Sequence, residues 1–465
     1  MTAGTTLFAL DCVLVVVLWP LVMWAAGQIA PLLAVPTDPR GVVYPAMDLL
    51  LLYAMGLYRR DALIGTRKSM ERVPLVVGMG CGGALLVALL LPVLSPNWFL
   101  AVRPPNQGQF FALAIVCFAF CAFAARMLAH LLLRKRVLGR RLLVVGAGQR
   151  AWDLLHMLTH EGRTLRYDIV FLHDPSLGAI DPRLEADPAV RIVQPEAFDV
   201  LLVAKGLNAD QIVIAPDERR GMNLERLLAC KMAGFPIVQY LSFVEQEIHR
   251  IDIKRLELSW VLFSDGFQFS SIDRALKQVF DIVVSIVTLL VTSPFLLAAM
   301  LAIRWEGPGP ILYRQERVTQ YGRHFKILKL RTMRVDAEAG GAVWAASKDA
   351  RITRVGALLR RTRLDELPQL INVLRGDMSF VGPRPERPMF VAELAEKIPL
   401  YNERHAVKAG LTGWAQVNYP YGASIDDARS KLSYDLYYVK NFSILFDLRI
   451  IVQTLRVVLW PQGVR

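Results

Sequence analysis

Two adjacent carboxylates, Asp365 and Glu366, stand in RRTRLDELPQLINVL, with Arg360, Arg361 and Arg363 before them and Arg375 and Arg384 after. Pro368 and an apolar run (Leu370, Ile371, Val373, Leu374) follow, so the pair opens a helix, where acids complement the dipole and proline loses no hydrogen bond. A lone Asp there would read as a helix cap. The ring of arginines points instead to a ligand that carries phosphates. Two carboxylates in one site repel each other as anions, and a hard divalent ion keeps both ionised, Mg2+ being the usual choice where phosphates supply further oxygens. One carboxylate could hold the metal while the other attacks phosphorus, forming an acyl phosphate that splits one displacement into two.

These residues belong to a longer series of blocks in fixed order: SIDRALKQVFDIV from Ser271, TSPFLL from Thr292, YRQERV from Tyr313, FKILKLRTM from Phe325, DARITRVGALLRRTRLDELPQL from Asp349, GDMSFVGPRPE from Gly376, LTGWAQV from Leu411 and YDLYYVKN from Tyr434. From Ser271 onward the chain resembles the bacterial polyprenyl-phosphate hexose-1-phosphate transferases, membrane enzymes that start exopolysaccharide and O-antigen assembly. The resemblance implies a UDP-sugar donor, an undecaprenyl phosphate acceptor and release of UMP. It makes Asp365 the nucleophile and Glu366 the Mg2+ ligand. It places Lys329 and Arg331 at the diphosphate, with Arg360 in the cationic frame. Arg384, its backbone fixed between two prolines, would meet the nucleotide phosphate or uridine, and Asp435 would support the metal or substrate pocket. Two positions depart from the family pattern: Thr319 stands where glycine usually follows YRQERV, and Ala409 where proline usually precedes GLTGWAQV.

The elements that carry this site begin in a membrane. The 465 residues are 54% hydrophobic and have a positive mean hydropathy, which bounds the chain to a membrane protein of two or three units. Apolar runs at 7–30, 42–57, 74–94 and 110–133 predict four transmembrane helices. The loop after the second run carries Arg59, Arg60, Arg67, Lys68 and Arg72, and the tail of the fourth carries Arg134, Lys135, Arg136, Arg140 and Arg141. Positive charge collects on the cytoplasmic side, so both ends of this block face the cytoplasm of a bacterial inner membrane. The net charge of +13 suits anionic lipid and phosphorylated substrates, and nothing suggests sequence-specific nucleic-acid binding. The five cysteines form no disulfide framework; His156 and His160 share a helical face but lack the glutamate of a zinc-hydrolase helix.

From about residue 137, strands alternate with amphipathic helices, the texture of an α/β unit with a parallel sheet. RLLVVGAGQRA fits a dinucleotide fingerprint: Gly146 and Gly148 between strand and helix, with Asp174 after the second strand as a ribose-binding acid. The alternative is a Rossmann-like scaffold whose glycines only permit a tight turn, and the small size of the unit favours it. We read this unit as a regulatory or oligomerisation module, a homodimer being the expected assembly.

Residues 277–304 are long and apolar enough to span a bilayer, yet basic residues flank both ends, and Ser293 and Pro294 interrupt the middle. Both flanks on one side predict a broken, re-entrant helix, with Ser293 satisfying a carbonyl freed at the bend. The expected fold is therefore membrane α plus α/β: four transmembrane helices (1–136), a Rossmann-like parallel-sheet domain (137–265) and a monotopic α/β catalytic domain (266–465) anchored by the re-entrant helix. Two other functions compete, a nucleotide-sugar oxidoreductase or dehydratase centred on GAGQRA and a non-catalytic scaffold of a polysaccharide-assembly complex.

Overall fold

The computed structural model describes residues 7–13, 49, 52, 78, 120, 122–128, 131, 140–160, 167–194, 199–218, 220, 222–268, 270–334, 351–420, 422 and 424–459. The chain divides into two compact units, Met1–Ile248 and His249–Arg465.

In the first unit, helical residues occur at 7–13 and 122–128, joined by a buried ion pair between Arg126 and Asp11 (3.1 Å). Apart from these and the single helical residues 49, 52, 78, 120 and 131, the four spans expected at 7–30, 42–57, 74–94 and 110–133 lie outside the described residues. A five-stranded parallel sheet follows, built from β1 (Arg140–Val145), β2 (Tyr167–Leu172), β3 (Arg191–Val193), β4 (Gln211–Ile214) and β5 (Ile237–Gln239), in the order β3-β2-β1-β4-β5. Parallel neighbours need crossover connections, and α1 (Gln149–His160) links β1 to β2. Central β1 is buried over its last four residues, as a strand covered on both faces must be. Leu143, Val145, Val170, Leu172, Ile212 and Ile214 form the core beneath it. The strand order reverses between β1 and β4, where doubly wound sheets open a crevice at their carboxyl ends.

The second unit is organised on α2 (Ser271–Glu306), a helix of 36 residues opened by a Ser270–Asp273 capping box. One stretch of it has a mean hydropathy of 2.4, enough with its length to cross a membrane. Lys277, Asp281, Ser285, Leu296, Ala299 and Ile303 are buried at spacings of three, four and eleven residues, so a single face is docked along the whole helix. The outward face carries Ile272, Val279, Val287, Val291, Phe295 and Trp305, all exposed. Helical turns continue through Ser293 and Pro294. Pro294 has no N–H for the carbonyl of Leu290, and Ser293 Oγ donates to that carbonyl instead (2.8 Å).

Both ends of α2 are tied into the same unit. Near its start, Lys277 bridges Asp281 and Asp447 (2.7 Å each), while Asp281 accepts from Ser379 Oγ (2.7 Å) and the Phe380 N–H (3.2 Å). At its finish, Arg331 donates to the carbonyls of Ile303, Gly307 and Pro308 (3.3, 3.0 and 2.8 Å). An antiparallel pair, β6 (Leu312–Val318) with β7 (His324–Leu330), comes next. A short parallel pair, β8 (Ser379–Val381) with β9 (Gly410–Thr412), lies beyond it. Gly382 crosses Gly410 and Gly413 backbone to backbone, and a Cβ on any of the three would collide with the opposite chain. The aromatic residues of α3 (Ile425–Lys440) pack with Trp414, Phe446 and Ile450, most of them facing this core.

Candidate active site

Asp365 and Glu366 lie in a single 3-10 turn, Leu364–Glu366, rather than in the helix their neighbours suggest. α4 (Arg354–Thr362) ends at Arg363, which adopts a left-handed conformation (φ 60°) that non-glycine residues seldom take. That residue redirects the chain so that Asp365 turns inward, 7% exposed. The following helix, α5 (Gln369–Leu374), is fixed by Asn372, whose side chain accepts from the Leu328 N–H (3.0 Å) and donates to the Lys326 carbonyl (2.9 Å). Asn372 thus completes the free edge of β7 and holds the acidic turn against the strand that bears Lys329. A lone amide inside LINVL was the signal for it in the sequence.

Glu366 Oε1 accepts from Lys329 Nζ (3.1 Å) and Arg384 Nη2 (3.0 Å). Burial alone would raise its pKa, but these two cations prevail and hold the carboxyl well below the usual range. Asp365 has the opposite fate. Burial and the neighbouring Glu366 carboxylate push it up to about 6, against the pull of Lys329, Arg363 and Arg360. Its Oδ1 is buried without a hydrogen-bond partner among the described residues. Such an oxygen is costly to bury unless a ligand completes it.

Of the residues singled out from the sequence, the fold brings four together: Asp365, Glu366, Lys329 and Arg384. Arg360 stands close by, its Nε donating to Thr332 Oγ1 (2.9 Å). Arg331, expected at the diphosphate, has its guanidinium on the carbonyls that end α2. Asp435 is 2% exposed and pairs with Arg404 (2.8 Å), whose Nη2 also donates to the carbonyl of Arg384 (3.0 Å) and whose Nη1 donates to the Tyr401 hydroxyl (2.8 Å). The acid therefore acts through Arg404 on the backbone of the Pro-Arg-Pro turn. Arg404 had no distinguishing mark in the sequence.

Comparison with known proteins bears on the same region. Residues 272–461 match the family model of bacterial sugar transferases. An exopolysaccharide production protein PSS of Rhizobium leguminosarum bv. phaseoli is 45% identical over 188 residues, 39% of this chain and 94% of that protein. The chain belongs to the bacterial sugar transferase family. The UDP-N-acetylgalactosamine-undecaprenyl-phosphate N-acetylgalactosaminephosphotransferase of Aeromonas hydrophila is 40% identical over 245 residues, 52% of this chain and 56% of that one, so the chain spans about half of that relative's length. The undecaprenyl-phosphate glucose phosphotransferase of Komagataeibacter xylinus is 28% identical over 382 residues, covering 80% of this chain and 69% of its own length. Residues 272–461, the stretch matched by the family model, hold Asp365, Glu366, Lys329 and Arg384.

In the first unit, Gly146 and Gly148 turn the chain from β1 into α1, and Gly146 has φ 112°. Asp174, expected on a ribose, caps a short 3-10 turn through the Ser176 N–H (2.9 Å).

Proposed function

We propose that this sugar transferase moves a hexose-1-phosphate from a UDP-sugar to undecaprenyl phosphate and so starts glycan assembly. One observation carries the reading: a buried Asp365 with an unpartnered oxygen beside a Glu366 held by Lys329 and Arg384. An Asp365 oxygen bonds to the sugar-bearing phosphorus, and the bond from that phosphorus to the UMP oxygen breaks, its electron pair leaving with UMP. An oxygen of undecaprenyl phosphate then attacks the same phosphorus. The aspartyl–phosphorus bond breaks, the carboxylate is restored, and the sugar leaves on a lipid diphosphate. Lys329 and Arg384 are charged and partly desolvated, which suits them to orient a diphosphate between them.

The donor set fits magnesium as a shared ligand. Among the described residues no group of three or more Asp, Glu, His or Cys could hold a metal by itself. Mg2+ commonly takes one or two carboxylates and completes its shell with substrate oxygens. Glu366, with Asp365 beside it, would hold it, and it would neutralise charge on the diphosphate.

The docking of α2 supports a one-leaflet insertion. Its two ends are bonded into one globular unit and its exposed residues from Val279 to Leu301 are apolar, which favours a helix that enters and leaves on the cytoplasmic side, with Pro294 interrupting its hydrogen-bond ladder. Single cysteines at Ile272 and Trp305 should both react with an impermeant thiol reagent from the cytoplasmic face; protection of one alone would mean a span.

The decisive assay is UMP release by protein in lipid with Mg2+, undecaprenyl phosphate and a panel of UDP-hexoses and UDP-N-acetylhexosamines. Lipid-dependent release with one donor, absent in Asp365→Asn, is the expected result. Near-normal release by that variant would remove Asp365 as nucleophile.

A further inference from the structure

The glycine-rich turn of the first unit has the local chain path of a dinucleotide site, strand to Gly146-Ala147-Gly148 to helix. In such a site the ligand's phosphates sit on the first N–H groups of the helix, where the dipole favours an anion. Here an anion from the chain itself is already seated. Asp217 Oδ2 accepts from the Gln149 N–H (2.6 Å) and its Oδ1 accepts from the Arg150 N–H (2.9 Å). Both oxygens of one carboxylate cap the first two amides of α1.

This seat is set by the sheet and not by a loose loop. β4 continues past its last residue, and the Ala215 N–H donates to the Val145 carbonyl (2.9 Å), delivering Pro216 and Asp217 to the crevice where the strand order reverses. Gly148 is glycine for the same reason, since a Cβ there would collide with the Asp217 carboxylate. The segment after β2 folds over the turn, with the Asp181 N–H on the Ala147 carbonyl (2.9 Å) and the Glu218 N–H on the Leu177 carbonyl (3.3 Å). Gly146, Ala147 and Gly148 are all buried beneath it.

We propose that Asp217 is a built-in stand-in for a ligand phosphate, and that the middle domain holds its Rossmann-like shape without a bound nucleotide. The glycines that mark a cofactor site in the sequence serve an internal carboxylate. The position is independent of the transfer chemistry, and its test does not read transfer.

Hydrogen–deuterium exchange on the full chain in lipid nanodiscs, followed in peptides spanning 146–156, decides it with NAD+, UDP and inorganic phosphate as separate probes. In the wild type none of the three should slow exchange there. In Asp217→Ala the Gln149 and Arg150 amides should exchange roughly tenfold faster or more, and inorganic phosphate should slow them again. Protection of 146–156 by NAD+ or UDP in the wild type would overturn the proposal, as would unchanged exchange at the two amides in the variant. If alanine loosens the whole sheet, visible as lost protection in β1 and β4, Asp217→Asn keeps one acceptor and gives the same comparison with a smaller gain.

Discussion

Asp365 can attack phosphorus only as an anion, and its surroundings oppose that charge. Activity should therefore rise as pH climbs through about 6, the value to which burial and Glu366 push this carboxyl. A profile of kcat/KM against pH with no inflection between about 5 and 7, one unit to either side of that value, would contradict the assignment. The same opposition has a thermodynamic side. A carboxyl whose pKa is higher folded than unfolded adds stability below its unfolded pKa and loses it as pH rises through the folded value. At pH well above 6 the buried charge is a burden, so Asp365→Asn should be inactive yet more heat-stable there, by roughly 1–3 kcal/mol. The gain should vanish in acid, where the wild-type carboxyl is protonated in both states. Arg404 and Asp435 offer a contrasting case. Breaking a buried pair from one side leaves an uncompensated charge and costs about 3–5 kcal/mol, so Arg404→Met should lower thermal stability sharply. Adding Asp435→Leu should restore much of that stability without restoring UMP release, because the carbonyl of Arg384 still lacks its donor.

At the scale of elements, α2 decides how the catalytic unit meets the membrane. Lys277 is buried between Asp281 and Asp447, and Asp447 also accepts from the Tyr438 hydroxyl (2.8 Å). Lys277→Met should release the start of α2 from β8, seen as faster amide exchange over Ser379–Val381 and a lower melting temperature. Unchanged exchange there would show that apolar contacts alone dock the helix. Much of this architecture was legible beforehand. α2 announces itself by length and hydropathy, β1, β2 and β4 by β-branched runs, and the acidic turn by its arginines. What stayed hidden is short or distant. β3 and β5 have three residues each, too few to display alternation. The role of Arg331 depends on carbonyls 23 to 28 residues upstream, which no local pattern records. Asp217 is separated by 68 and 67 residues from Gln149 and Arg150, whose amides it caps.

For the molecule as a whole, the family match at 272–461 falls inside the second unit. The Rhizobium relative matches 188 residues of this chain over 94% of its own length, so a segment no longer than the second unit is the candidate for a self-sufficient part. A fragment of residues 249–465 in lipid should keep lipid-dependent UMP release with the donor preference of the full chain. Loss of release from a folded fragment would give the first unit a direct part in turnover. Within the second unit, the two departures from the family pattern prove to touch. Thr319, fully buried, donates its hydroxyl to the Asp377 carbonyl (2.8 Å) and accepts from the Ala409 N–H (3.2 Å), a donor that proline would lack. Thr319→Gly alone should cost about 1–3 kcal/mol by leaving both groups unpaired, and adding Ala409→Pro should recover part of it, measured as a coupling in a double-mutant cycle. The pair is then an epistatic one. A lineage moving from glycine and proline to threonine and alanine passes more safely through threonine first, because alanine first would bury an N–H with nothing to receive it.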